Sequence, residues 1–303
     1  MLFFKAKKSP PVFDNCKPLK VIIFSKDRAC QLDVLLNSMR EHLKYNSIDY
    51  TVLYTTSSDS FADAYSILQK IHSEHIRWLR ECSFKSDLIQ FVQSMPDQYP
   101  VMFLVDDDVF FRPVDIGKIL QKFTESHLFV SLRVDRRYKR YDAPKFCTRD
   151  SIIEWNWKYC RKSLSTWHYP FSVDGNIFNS TVIKKILNEI DFKAPNTLEA
   201  SMHNYRNKKW IRNMNRAIAP AEAVLFNNPM NKVQLEGETW HQNITAEFLN
   251  ETFLSGQRIE YLKLNSSVPT GIHSAIPVSF RGFRNSQIEN KIDKTNQEVC
   301  VNA

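Results

Sequence analysis

Asp106, Asp107 and Asp108 stand together at the end of the apolar run Val101-Met102-Phe103-Leu104-Val105 and directly before Val109-Phe110-Phe111. Three adjacent carboxylates repel one another and cannot be buried unpaired. A hard divalent metal is a natural partner, because Mg²⁺ and Mn²⁺ prefer oxygen ligands. An ion held by only one or two carboxylates completes its shell with water and substrate phosphates. The pattern points to a metal–diphosphate site at the carboxyl end of a buried strand, where open α/β sheets bind their ligands. The alternatives are an acidic surface loop or a helix N-cap cluster; the apolar flanks favour the metal.

Other residues suit an anionic ligand. Ser25, Lys26, Asp27 and Arg28 follow the apolar run at 20–25. Lys26 and Arg28 can bind phosphate, or can pair with acids in a surface loop. Asp59 closes the polar turn at 55–59; it either accepts hydrogen bonds from a base or ribose, or caps the turn. Trp155, Trp157, Trp167, His168 and Tyr169 crowd the segment before Asp174. Such rings can stack on sugars in an acceptor site, or simply pack.

These groups need strands and helices to place them. Apolar runs at 20–25, 50–54, 76–79, 101–105 and 128–134 read as strands. Helical periods fall between them, at 31–45, 61–72, 83–95 and 115–123. The alternation predicts an α/β fold, a mostly parallel central sheet with helices on both faces. The later portion reads as irregular, with short helices near 151–160, 181–188 and 245–254. The expected organisation is an irregular arm at 1–19, one catalytic domain at 20–283 and a polar tail at 284–303. Within that domain a nucleotide half covers about 20–134 and an acceptor half 135–283.

Composition narrows the function classes. The 303-residue chain is 43% hydrophobic, which suits a substantial core. Its net charge of +8 favours anionic partners. The excess concentrates at 133–140 and 206–216, both read as solvated basic faces; no nucleic-acid motif accompanies them, so no specific nucleic-acid partner is expected. Contact with an acidic membrane surface is compatible with that charge. No apolar stretch reaches transmembrane length and the start does not read as a secretory signal, so the expectation is a cytoplasmic, at most peripheral, protein. The six cysteines are scattered without C-x-x-C spacing, which gives no sign of a zinc or redox site.

Over residues 20–205 the chain resembles nucleotide-sugar glycosyltransferases of the GT-A fold, family 2-like, with a triple aspartate similar to that of exostosin-type transferases. The resemblance rests on Phe24-Ser25-Lys26-Asp27-Arg28 with Gln31-Leu32, on Leu104-Val105-Asp106-Asp107-Asp108 as a D-x-D motif, on Asp174-Gly175-Asn176-Ile177-Phe178, and on Asn196-Thr197-Leu198-Glu199-Ala200. It implies a nucleoside diphosphate sugar as donor and Mn²⁺ or Mg²⁺ as cofactor. The acceptor would be a hydroxyl on a glycan, a lipid-linked molecule or a protein. By resemblance, Asp108 ligates the metal, Asp106 contacts the ribose or the metal shell, and a late histidine, His273, completes the shell. Asp107 is counted with the nucleotide contacts but, by strand alternation, is expected to point away. Lys85 matches a diphosphate contact. Glu199 matches the general base of an inverting transfer, with Asp174 as runner-up. Two departures stand out: the family's usual acidic pair is reduced to Glu199 followed by Ala200, and the second-strand turn offers only Asp59. The competing functions are a non-catalytic carbohydrate- or nucleic-acid-binding protein on a degenerate transferase fold, and a nucleotidyltransferase. The latter would want a glycine-rich first loop, and residues 25–30 contain no glycine.

Overall fold

The computed structural model describes residues 12–282, apart from 15, 74, 138–143, 160–165, 232–241, 243, 262–268 and 270. The tail expected at 284–303 lies outside the described residues.

The first half runs β1 (Leu19–Lys26), α1 (Ala29–His42), β2 (Leu43–Lys44), β3 (Ile48–Thr55), α2 (Asp59–Ile71), β4 (Ile76–Arg80), α3 (Phe84–Ser94) and β5 (Pro100–Val105). After the aspartates come β6 (Asp108–Phe110), β7 (Val114–Asp115), α4 (Ile116–Leu120) and β8 (His127–Ser131). The second half adds β9 (Phe146–Arg149), β10 (Ile152–Asn156), β11 (Asn176–Asn179), α5 (Ser180–Glu189), α6 (Pro195–Tyr205) and α7 (Lys209–Asn213). It ends with β12 (Arg216–Pro220), β13 (Leu225–Asn227), α8 (Ala246–Leu254), β14 (Gln257–Ile259) and β15 (Phe280–Gly282).

Nine strands form one sheet in the order β4-β3-β1-β5-β11-β8-β12-β10-β9. β4, β3, β1 and β5 are mutually parallel, and β11 is inserted antiparallel between β5 and β8. The mostly parallel α/β architecture follows from β1 and β5, which bury both faces. Val21 and Ile23 of β1, with Met102 and Leu104 of β5, pack on one side with α1, α2 and α8. Ile22 and Phe24, with Val101 and Phe103, pack on the other side with α3, α5 and α6. Strand side chains alternate between faces, so a continuous apolar run demands cover on both.

One expectation is corrected. Residues 151–159 hold no α-helix: Ile152–Asn156 is a strand between β12 and β9, and Trp157–Tyr159 forms a short 3₁₀ turn. The β-branched pair Ile152-Ile153 favours that extended state. The acceptor half is thus less irregular than the sequence suggests. The end of the N-terminal arm is also anchored. The Val12 N–H donates to the Phe123 carbonyl at 2.9 Å, and Phe13 is buried with its ring centroid 5.0 Å from that of Phe123.

Candidate functional site

A cavity of about 660 Å³ opens at the carboxyl ends of β1, β3 and β5. Among the residues lining it are Ser25, Lys26, Arg28, Asp106, Asp107, Asp174, Glu199 and His273. The fold brings these together from five separate stretches of chain.

The β1 loop is fixed by Asp27, whose backbone takes a left-handed φ of 55°, a region that Asp tolerates better than most residues. Its Oδ1 accepts from the Ser57 N–H at 2.7 Å, tying the loop to the one after β3. This aims Arg28 at the aspartates. Arg28 Nη1 lies 2.9 Å from Asp106 Oδ1 and 3.1 Å from Asp107 Oδ2. Arg28 Nε donates to Asn231 Oδ1 at 2.8 Å, and Nη2 donates to the Asn231 carbonyl. Asp106 Oδ2 also accepts from Ser25 Oγ at 2.9 Å and from the Lys26 N–H at 3.2 Å. Asp107 Oδ1 accepts from Asn227 Nδ2 at 2.6 Å. Burial still pushes the Asp106 carboxyl up to about 6; Arg28 opposes the rise and Asp107 adds to it.

The opposite wall centres on Arg133. Its Nη1 reaches Asp174 Oδ2 at 2.6 Å and its Nη2 donates to Ser172 Oγ. Glu199 reaches the wall from α6. Pro195 starts that helix, where a missing N–H costs nothing, and Thr197 Oγ1 accepts from the Ala194 N–H at 2.9 Å. Leu198 and Met202 anchor α6 in the core, which leaves Glu199 at the cavity. Glu199 is half-buried as a residue, yet burial of its carboxyl is the largest influence and Asp174 the next; together they lift it to about 8. Arg133 and hydrogen bonds from Ser172 and the Val173 N–H oppose that rise.

Asp174 depends on its neighbour. Gly175 has φ +76°, and a Cβ there would sit 2.0 Å from Leu225 Cδ2. Only glycine lets the chain turn at this point and pass Leu225.

Several sequence expectations are placed differently. Asp108 does not line the cavity; it is fully buried behind it. Its Oδ2 accepts from the Val105 N–H at 3.1 Å, and its Oδ1 has no hydrogen-bond partner. Burial, and next the charge of Asp174, raise its carboxyl well above the ordinary range. Asp107, expected to point away, is on the wall. The physical reason is that residues 106–107 form a turn between β5 and β6, so strand alternation does not continue through them. Lys85 is not at the cavity either: its Nζ pairs with Asp191 at 2.7 Å. Asp59 is exposed in the first turn of α2, whose N-cap is Ser58, so its charge meets the helix dipole rather than a ligand. Trp155, Trp157 and Trp167 are core residues; Trp155 Nε1 donates to the Trp167 carbonyl at 2.9 Å and Trp157 Nε1 to the Met214 carbonyl at 2.8 Å. Of the aromatic segment, Tyr169 lines the cavity.

Arg133 is the residue that the sequence concealed. It stands first in the basic stretch expected to be a solvated face, yet it is 4% exposed. The signal was its position inside the apolar stretch Leu128–Val134, where a charge must find a buried partner.

The electrostatics bear on a metal. Asp106, Asp107, Asp108, Asp174 and Glu199 are met by two buried guanidiniums, Arg28 and Arg133, so the carboxylates outnumber their buried partners. Among the described residues no three Asp, Glu, His or Cys side chains converge to hold an ion by themselves. A hard ion that arrives with a diphosphate needs only one or two protein carboxylates. Asp106 and Asp107 fit that need, because each carboxylate has about four lone-pair sites and the protein donors leave some unused. His273, hydrogen-bonded through Nδ1 to Asn227 Oδ1 at 3.2 Å, stands by them; burial, then Arg133, holds its pKa below the ordinary value.

No family model matches the chain. A curated relative, the bifunctional glycosyltransferase pgtA of Dictyostelium discoideum, is 23% identical over 291 residues. The match spans 82% of this chain and 37% of that protein's length. Among solved structures, S. aureus TarS matches 69% of this chain and 36% of its own at 14% identity, with a TM-score of 0.46. The galactosyltransferase LgtC, solved with donor and acceptor sugar analogs, matches 83% of this chain and 98% of its own at 11% identity, with a TM-score of 0.39.

Proposed function

We propose that the chain is a glycosyltransferase of the GT-A type that moves a sugar from a nucleoside diphosphate donor to an acceptor hydroxyl, with inversion. The observation that carries this is the cavity's polarity. One wall, Ser25 to Arg28 with Asp106 and Asp107, is built of cations and ligand-type oxygens at strand ends. The other holds Glu199, a carboxyl of raised pKa. The curated relative, itself a glycosyltransferase, supports the same class.

In this mechanism the acceptor oxygen attacks the anomeric carbon while Glu199 takes its proton. The bond from that carbon to the diphosphate oxygen breaks, and the leaving charge is stabilised from the β1 side by Lys26 and Arg28. A divalent ion held by Asp106 and Asp107, with His273 beside them, would supply Lewis-acid stabilisation of the diphosphate. Arg133 holds Asp174 in place through the 2.6 Å ion pair. Hydrogen bonds from Ser172 and the Val173 N–H orient Glu199, and the negative charge of Asp174 makes it a stronger base. Tyr169, on the Glu199 side, is positioned to flank the acceptor.

A thermal-shift series with nucleoside diphosphates, with and without Mn²⁺, tests the donor assignment. A ligand bound only by the native state at a hundred times its Kd adds about 2.7 kcal/mol of apparent stability. At least one nucleoside diphosphate is expected to raise Tm, and more so with Mn²⁺. A flat response to all of them would remove the donor site.

A further inference from the structure

Residues 200–221 carry five cations and no carboxylate. The structure gathers most of that charge with two more lysines on one face. Lys208 and Lys209, at the start of α7, and Arg212 near its end are exposed and make no ion pair among the described residues. The short turn at Trp157–Tyr159 is pinned beside them: the Trp157 N–H donates to the Asn215 carbonyl at 3.2 Å and its indole to the Met214 carbonyl. This places Lys158 close enough to Arg212 for the two charges to repel, a repulsion added to burial in lowering the Lys158 pKa. Lys185 of α5 lies 4.3 Å above the ring of half-buried Trp210. Acids nearby are already engaged: Glu189 by the Tyr205 hydroxyl at 2.5 Å, and Glu154 by His127 and Arg216.

At the edge of these cations stands Tyr159, 78% exposed, the most exposed of the large apolar side chains described. Unpaired cations beside an exposed amphipathic ring suit the headgroup region of an anionic bilayer, where lysine charge meets lipid phosphate and tyrosine sits at the boundary. The face also borders the acceptor end of the cavity. α6 carries Glu199 at the cavity and leads directly into Lys208, and the Trp157–Tyr159 turn packs on the turn that carries Thr166 to the cavity wall.

We propose that the face formed by Lys158, Tyr159, Lys185, Lys208, Lys209 and Arg212 docks the protein onto an anionic membrane surface. It brings the Glu199 side of the cavity next to the lipid headgroups. The surface is independent of the catalytic assignment, since none of its residues lines the cavity.

Co-sedimentation with phosphatidylserine/phosphatidylcholine vesicles, against pure phosphatidylcholine vesicles, at physiological salt tests it. Each cation at an anionic surface contributes about fivefold in affinity, so the triple variant Lys208→Ser, Lys209→Ser, Arg212→Ser is expected to lose about a hundredfold. All three are exposed, and the one aromatic contact among them, Lys208 Nζ 5.4 Å from the Tyr205 ring centroid, lies at the surface, so Tm should stay within a few degrees of the wild type, and Lys209→Glu alone serves as a second variant with a loss of at least fivefold. Equal binding to neutral vesicles, or full binding by the triple variant, would overturn the proposal. So would tighter binding of a duplex oligonucleotide than of the anionic vesicles at the same salt, which would make the face a nucleic-acid surface.

Discussion

Glu199→Gln separates the base from its surroundings. The glutamine keeps the shape and removes the proton acceptor. In the folded protein the glutamate sits at about 8 in place of the ordinary 4.5, chiefly through burial and next through Asp174. Raised in this way, the folded carboxyl holds its proton where the unfolded one has lost it. The associated stability is complete below about pH 4.5 and is lost as pH rises through 8. At about 1.4 kcal/mol per pH unit, the whole lift corresponds to roughly 5 kcal/mol against the ionised form. Over the practical interval of about pH 6 to pH 8 the wild type should lose roughly 2–3 kcal/mol relative to the variant. Melting curves of both proteins across that interval should therefore diverge by several degrees, with the glutamine form the more stable at high pH. Activity should move the other way. The variant should fall by about 10²–10⁴-fold, while wild-type kcat/KM should rise with pH through an apparent pKa near 8, as the base form appears. A glutamine variant with near wild-type turnover and an unchanged pH profile would refute the assignment of Glu199 as the base.

The remaining predictions concern the supports of the site. Arg28→Lys cannot bridge both aspartates and bond Asn231 together, because a lysine offers a single ammonium in place of a guanidinium fork. It should cost roughly 3 kcal/mol, the scale of breaking a buried pair, and should raise the donor KM; a Tm unchanged within a degree or so would contradict this. Gly175→Ala should unfold the chain or abolish activity, since the new Cβ meets Leu225 at 2.0 Å in a backbone state alanine disfavours; soluble, fully active protein would count against the Asp174 geometry. Lys85→Ala, by contrast, removes an exposed pair with Asp191 and should change stability by less than about 1 kcal/mol and leave the donor KM unchanged, as steady-state kinetics would show.

The sheet was readable because β1 and β5 carry unbroken apolar runs, which only a two-sided parallel core accommodates. The helices between them showed their 3.6-residue period. The strands β9, β10 and β12 were not legible: Ile152–Asn156 is short and mixed with Trp and Glu, so its β-branched pair is too weak a local signal, and pairing with β12 and β9 completes the extended state. The site was legible where chemistry and sequence coincide, in Asp106, Arg28 and Glu199, all of which reach one cavity. It was obscured where tertiary partners decide. Lys85 looks like any other first-turn lysine until Asp191 is seen beside it. Arg133 looks like part of a basic stretch until Asp174 is found 2.6 Å away. The turn at 106–107 reverses which aspartates face the cavity, and no local pattern announces a turn inside so apolar a stretch.

The central claim is that this cavity splits a nucleoside diphosphate sugar between the Arg28 wall and the Glu199 wall. The most direct measurement is release of nucleoside diphosphate from a panel of such donors, with Mn²⁺ present, by wild type, Asp106→Asn and Glu199→Gln. The account predicts release from at least one donor by the wild type, at a slow hydrolytic rate without acceptor, and near-complete loss in both variants. Equal release by wild type and Asp106→Asn, or no release from any donor by a wild-type protein that is folded, would contradict it.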